Sequence, residues 1–295
     1  MRSLRCFRPY VFPLLSLVVA SCQPPPETPS SIPSDDGLPI AFTVQGSGSP
    51  ALVFVHGWMC DGTYWREQVP HFSEQYQVVT IDLAGHGDSG LGRQVWSMQA
   101  FGRDVAAVVT ALGLEEVVLI GHSMGGPVVV EAARRLGDRV KGIVGVDTFN
   151  DLSLRYSDEQ IEEFVRPFHD DFEAAAREVV STMFVTSSDS ALADWIVHDM
   201  SSAEPTVGIG ALEGMVAWFN QEAERAFGEL NVTLRLINSD YNPTNLEAGR
   251  SYAPDLEVNL MTGVGHFVMM EDPDTFNRLL EEVLEDLPGG AISGR

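Results

Sequence analysis

A chain of 295 residues with 44% hydrophobic and 20% charged side chains has enough apolar mass for a sizeable core and too little charge for a disordered chain. Its formal charge of −24, with Lys141 the only lysine, excludes nucleic acid as a partner and excludes docking on anionic lipid by charge alone. Of three cysteines, Cys6 and Cys22 fall at the extreme N-terminus, which leaves Cys60 without an intramolecular partner and excludes a disulfide framework or a cysteine metal site.

Arg2, Arg5 and Arg8 precede an apolar run at 11–20 that is too short to span a bilayer, so residues 1–21 read as an export signal. The run ends in Val19-Ala20-Ser21-Cys22, which resembles the lipobox of bacterial lipoproteins. That resemblance implies that Cys22 is acylated and becomes the first residue of an exported, lipid-anchored protein of the bacterial cell envelope. Gln23 in place of aspartate leans toward the outer membrane under the rule known for some Gram-negative bacteria. An ordinary secretory signal cut nearby is the alternative. Residues 22–37, rich in proline and serine, predict an extended tether rather than a packed element.

Beyond the tether, short β-branched runs alternate with segments of helical period. Strands are predicted at 40–44, 51–55, 77–82, 117–120, 142–146, 233–237 and 257–261, and helices at 97–112, 124–136 and 273–287. This alternation predicts an α/β class with a mostly parallel central sheet covered on both faces, spanning 38–150 and 230–290. Residues 151–229 break the rhythm: they are acid-rich, helix-like and without a convincing strand, and read as an inserted helical cap.

The densest chemical signal is Val117-Val118-Leu119-Ile120-Gly121-His122-Ser123-Met124-Gly125-Gly126. An apolar strand runs into Gly-x-Ser-x-Gly and then into a helical pattern, the context in which a tight bend presents a serine hydroxyl. Small residues at Gly121 and Gly125 leave room for such a bend, and Pro127 falls in the first helical turn, where a missing N–H costs little.

With these residues the chain resembles the α/β-hydrolase superfamily, from about Leu38 to Leu287. The resemblance implies the α/β-hydrolase fold, with the cap inserted after the sixth strand in the family's numbering. Ser123 is then the nucleophile. Val53-Phe54-Val55-His56-Gly57-Trp58 is similar to the family's oxyanion loop, which gives the oxyanion hole to the backbone N–H groups of Trp58 and Met124. Asp82-Leu83-Ala84-Gly85-His86-Gly87-Asp88-Ser89 resembles a structural loop, so His86 receives no proton-transfer role. Gly263-Val264-Gly265-His266-Phe267 follows the last strand and supplies His266 as base.

The acid departs from the family's commonest pattern, because Asn242 occupies its usual place after the seventh strand. Asp147, after the sixth strand, is the candidate acid and Asp240 the alternative. Serine rather than aspartate at the nucleophile position sets the chain apart from epoxide hydrolases and haloalkane dehalogenases of the same fold. The expected function is hydrolysis of a small-molecule carboxylic ester through an acyl-enzyme, with no cofactor and no metal. Two readings stand beside it: C–C bond or amide hydrolysis by the same machinery, and a catalytically weak ligand receptor. Cys60 is expected to pack as a small hydrophobe, and Trp58, Tyr64, Trp65, Trp195, Trp218 and Phe219 are not assigned to a pocket.

Overall fold

The strands, in chain order, are β1 (Ser30–Pro33), β2 (Pro39–Gln45), β3 (Ala51–Val55), β4 (Val78–Ile81), β5 (Val117–His122), β6 (Val140–Val146), β7 (Leu234–Ser239) and β8 (Glu257–Met261). They belong to a computed structural model that describes residues 30–287. The export signal at 1–21, Cys22, Gln23 and the tether up to residue 29 lie outside the described residues, as do residues 288–290 of the expected core. Valine, isoleucine and leucine dominate the central strands because both faces of the sheet are covered: β3, β4 and β5 are buried at every position.

The strands form one sheet in the order β1-β2-β4-β3-β5-β6-β7-β8, antiparallel at β1/β2 and β2/β4 and parallel from there on. One departure from expectation is β1, which lies inside the predicted tether. Ser30–Pro33 pairs with β2 at the sheet edge, where a proline at the strand's end needs no ladder donor. Arg93 then fastens the segment, donating from Nε to Asp36 Oδ2 at 2.7 Å and from Nη1 to Asp104 Oδ2 at 2.7 Å. Asp36 responds to that guanidinium with a carboxyl pKa lowered to about 2.

Helices α1 (Gln68–Phe72), α2 (Met98–Ala111) and α3 (Gly125–Leu136) fill the crossovers up to β6. Between β6 and β7 the chain is helical throughout its regular structure: α4 (Asp158–Asp170), α5 (Phe172–Ser181), α6 (Ser190–Ser201), α7 (Pro205–Gln221) and α8 (Ala223–Gly228). This is the expected insertion after the sixth strand. Side-chain caps define its boundaries, with Ser157 and Gln160 forming a reciprocal capping box at α4 and Asp171 and Asp189 capping α5 and α6. The last described helices are α9 (Leu246–Tyr252), α10 (Val268–Glu271) and α11 (Pro273–Asp286).

Strand order also determines where a crevice opens. After β3 the chain steps to β4 on one side, and after β5 it steps to β6 on the other. The loops leaving β3 and β5 therefore part at the carboxyl edge of the sheet, which is where open α/β sheets bind ligands.

Candidate active site

Four non-glycine residues among those described have positive φ: Met59 at 55°, Ser123 at 52°, Asp147 at 41° and Phe149 at 56°. All lie on the loops that leave β3, β5 and β6 at that edge. Each such conformation costs about 1–3 kcal/mol, so surrounding contacts must hold it in place.

At Ser123 those contacts are visible. Its N–H donates to Val146 O at 3.0 Å, and its own carbonyl accepts from Gly126 N at 2.9 Å and from Thr148 Oγ1 at 2.9 Å. The turn closes so tightly that a Cβ on Gly121 would stand 2.4 Å from Gly125 O, and one on Gly125 would stand 2.5 Å from Val55 O. The oxyanion-loop candidate passes just as near: a Cβ on Gly57 would lie 3.2 Å from Ser123 Cβ. At Gly121 and Gly125, where the opposing atoms are backbone, only glycine permits the approach.

His266 lies on the loop between β8 and α10 and lines the same cavity as Ser123 and Asp147, about 240 Å³ in volume. His266 Nδ1 donates to Asp147 Oδ2 at 2.5 Å, and Asp147 Oδ1 accepts from Ser239 N at 2.8 Å. A carboxylate acceptor on Nδ1 places the proton there, which leaves Nε2 of the neutral ring with a free lone pair. Asp240 is exposed instead, its Oδ1 accepting from Gly263 N at 3.2 Å. Asn242 lines the cavity and makes no bond to His266. Of the two aspartates considered from the sequence, Asp147 is the one joined to His266.

Several residues that sequence reasoning missed hold this arrangement. Asn238, buried at the end of β7, accepts from Thr148 N at 3.3 Å and donates to Thr148 O at 3.0 Å, fixing the residue next to Asp147. Glu271, in α10, accepts from Gly265 N at 3.0 Å and from Phe267 N at 3.3 Å, one on each side of His266. From the insertion, Met183 O accepts the His266 N–H at 2.8 Å, and Ser188 donates to Glu271. No residue pattern marked them: Asn238, Met183 and Ser188 meet partners 83 to 90 residues away, and Glu271 acts within a loop whose conformation the sequence does not announce.

The remaining histidines have other work. His56 donates from Nδ1 to Gly57 O at 2.8 Å and accepts from Leu83 N at 2.9 Å, so it staples the loops after β3 and β4. Burial lowers its pKa, and burial with His56 nearby lowers that of His86 to about 3. His122 donates to His266 O at 3.0 Å, and burial, followed by the charge of His266, holds it well below the ordinary histidine range. His71, His169 and His198 are exposed.

Trp58 and Met124 flank Ser123 on the two parting loops. Among the described residues neither backbone N–H has a hydrogen-bond partner. The Trp58 ring is anchored by Nε1–H donating to Gly208 O of α7 at 2.7 Å. Cys60 is buried, and burial raises its thiol pKa well above the ordinary value, which suits packing rather than nucleophilic attack.

A profile of the alpha/beta hydrolase fold matches residues 50–273, most of the chain. The chain belongs to the α/β-hydrolase fold family. Among known proteins it is 24% identical to an uncharacterized protein of Mycobacterium tuberculosis over 266 residues, covering 83% of this chain and 78% of the other. Among solved structures it is similar to a thermophilic esterase from Thermogutta terrifontis, at TM-score 0.76 and 24% identity over 88% of this chain and 98% of that one. A bromoperoxidase from Bacillus anthracis superposes at TM-score 0.75 with 22% identity, covering 88% of this chain and 100% of that one. One fold serving an esterase and a bromoperoxidase leaves the reaction to be argued from the site.

Proposed function

We propose that this α/β-hydrolase family member is a serine hydrolase that cleaves small-molecule carboxylic esters through an acyl-enzyme. The observation that carries the reading is Ser123 in a strained strand-to-helix turn, lining one cavity with a His266 whose Nδ1 is bound to Asp147. Ser123 Oγ attacks the carbonyl carbon while its proton passes to His266 Nε2. The C=O electron pair moves to oxygen, where the N–H groups of Trp58 and Met124 receive it; such donors stabilise the transition state by roughly 3–4 kcal/mol each. Collapse expels the alkoxide, which takes the proton from His266, and water then releases the acid by the same steps. Asp147 orients the ring through Nδ1 and stabilises the imidazolium. No step calls on a metal or a cofactor.

Asp147 on His266 supports hydrolysis over the ligand-receptor reading, whose ground was Asn242 at the usual acid position. C–C and amide cleavage would use the same groups, and substrate profiling separates them from ester cleavage. The direct test is a fluorophosphonate probe on the purified protein, with the adduct located by mass spectrometry. Labelling at Ser123, lost in Ser123→Ala together with p-nitrophenyl ester hydrolysis, is expected. A folded protein that fails to label would sink the proposal.

Helices α4–α8 are proposed to act as the cap over this site. Export and lipid anchoring through Cys22 are likewise proposed, on the lipobox-like Val19-Ala20-Ser21-Cys22. Metabolic labelling with an alkyne fatty acid in a bacterial host, abolished by Cys22→Ser, is the expected result.

A further inference from the structure

The Ser123 cavity does not end at the triad. Three of its lining residues, Tyr156, Met215 and Phe219, also line a second cavity of about 410 Å³ between α4 and α7. Ile161, Phe164 and Val216 complete the apolar wall of that second space. Its one further lining side chain, Gln160, already has its carbonyl occupied by Ser157 N at 2.9 Å in the α4 capping box. No charged residue lines it, in a chain with 42 acidic residues.

The next cavity along α4 is the contrast. It is bordered by Glu162, Arg166, His169 and Glu213 and shares no residue with the Ser123 cavity. The uncharged space is thus the one that shares a wall with the nucleophile's cavity. Beside it Asn220 accepts from Tyr156 N at 3.0 Å and donates to Tyr156 O at 2.8 Å, pinning the segment before α4 to the end of α7. Exposed large apolar side chains gather here as well: Leu154 at 49%, Tyr156 at 45% and Phe164 at 45%. Apolar surface left open beside a reactive centre favours an apolar ligand that covers it.

We infer that the ester carries a flexible, uncharged aliphatic chain of medium length, which lies past Tyr156, Met215 and Phe219 in the α4–α7 cavity. This rests on the serine-hydrolase reading above. Each methylene taken from water into such a wall is expected to raise kcat/KM roughly threefold to fourfold, from the ordinary transfer free energy of a CH₂ group. The chain can belong to the acyl or to the alcohol side of the ester, and two substrate series tell them apart.

The experiment measures kcat/KM for p-nitrophenyl acetate, butyrate, hexanoate and octanoate, and for n-alkyl acetates of matching length, all below their micellar concentrations. The same enzyme is titrated with fluorophosphonate at Ser123. One series is expected to rise with chain length, and the octanoate-to-acetate ratio, or its alkyl counterpart, to fall at least tenfold in Phe164→Glu and in Ile161→Glu. Both positions are incompletely buried on α4, where a glutamate is compatible with folding. Leu91→Ala, an exposed apolar residue outside both cavities, should leave the ratio unchanged. Two flat series from an enzyme that still labels at Ser123 overturn the subsite while leaving the hydrolase. If Phe164→Glu instead lowers the sedimenting mass and the series stay flat, a second copy of the chain occupies the face and the inference fails. Absence of labelling removes the hydrolase and this subsite together.

Discussion

The two regions that meet at the cavity are built by opposite rules. At the carboxyl edge of the sheet, backbone touches backbone: Gly125 lies against the carbonyls of Val55 and His56, and Ser123 is held by the backbone of Val146 and Gly126. In α4–α8, side chains touch side chains, as where Phe168 and Phe172 pack on the Trp58 ring at 5.7 and 6.0 Å. Backbone contacts admit no adjustment, whereas packed side chains can be exchanged and repacked. If the proposed function holds, the difference teaches that the chemistry is fixed in the rigid part and the choice of substrate is left to the adaptable part.

The largest expected effects break that comparison most cleanly. Ser123→Ala should lower kcat for ester hydrolysis by about 10⁶, and Asp147→Asn by about 10⁴, because asparagine no longer stabilises the imidazolium and misorders its tautomer. Asp240→Asn should stay within about threefold of the parent. Steady-state kinetics on folded variants checks all three, and an Asp240 variant as damaged as Asp147→Asn would overturn the assignment of the acid.

Next comes a paired glycine test. Gly125→Ala would push a methyl to within 2.5 Å of Val55 O and 2.7 Å of His56 O, atoms of β3 and its loop that cannot retreat. A loss above about 4 kcal/mol, or no soluble protein, is expected. Gly228→Ala, at the end of α8 with nothing within 4 Å of the new Cβ, should be neutral or stabilise by up to about 1 kcal/mol through the unfolded chain. Urea unfolding midpoints compare the two.

The same contrast explains what could be read from the sequence. Strand periods and the Gly-x-Ser-x-Gly bend at Ser123 are local patterns, His266 follows from the family's order of serine, acid and histidine, and the structure brings both residues to one cavity. Asp147 against Asp240 was not local: it depends on the parallel register of β6 and β7, which puts Ser239 N on Asp147 Oδ1. The strand Ser30–Pro33 was hidden because Ser-Ser-Ile-Pro has the composition of a linker, and its docking comes from pairing with β2 and from the Asp36 bond to Arg93. Within the insertion, helices were legible, but the cavity between α4 and α7 was not, since aromatic spacing does not tell a wall from a core. Trp218, for example, is spent on Glu131, to whose Oε1 it donates at 2.8 Å.

Acid should expose the core before the insertion. His56, His86 and His122 are buried with pKa values below 6.5, that of His86 at about 3, whereas His169 and His198 in α4 and α6 are exposed. When the folded pKa lies below the unfolded one, the unfolded chain binds the extra proton, so stability is intact above pH 6.5 and is lost as pH falls toward the folded pKa. Each such histidine contributes about 1.4 kcal/mol per pH unit in that window. Unfolding free energy should therefore fall by up to about 4 kcal/mol per unit below pH 6. A flat profile from pH 7 to 5 would mean that these rings are charged in the folded protein.

The smallest effect tests the seam between the regions. Glu271 spans it, taking Gly265 N and Phe267 N beside His266 and Ser188 Oγ from the loop between α5 and α6. Its carboxylate touches no reacting atom, so it is a positioning residue. Glu271→Ala should let the His266 loop drift and lower kcat about tenfold with KM little changed, since alignment of the base is lost rather than binding. Glu271→Gln keeps one acceptor oxygen for the two N–H groups and offers Ser188 a donor in exchange, so it should recover most of the rate. If Gln behaves like Ala, the negative charge matters more than the clamp; if both match the parent, Met183 and the bond to Asp147 already suffice to hold His266, and the insertion has no grip on the base through this residue.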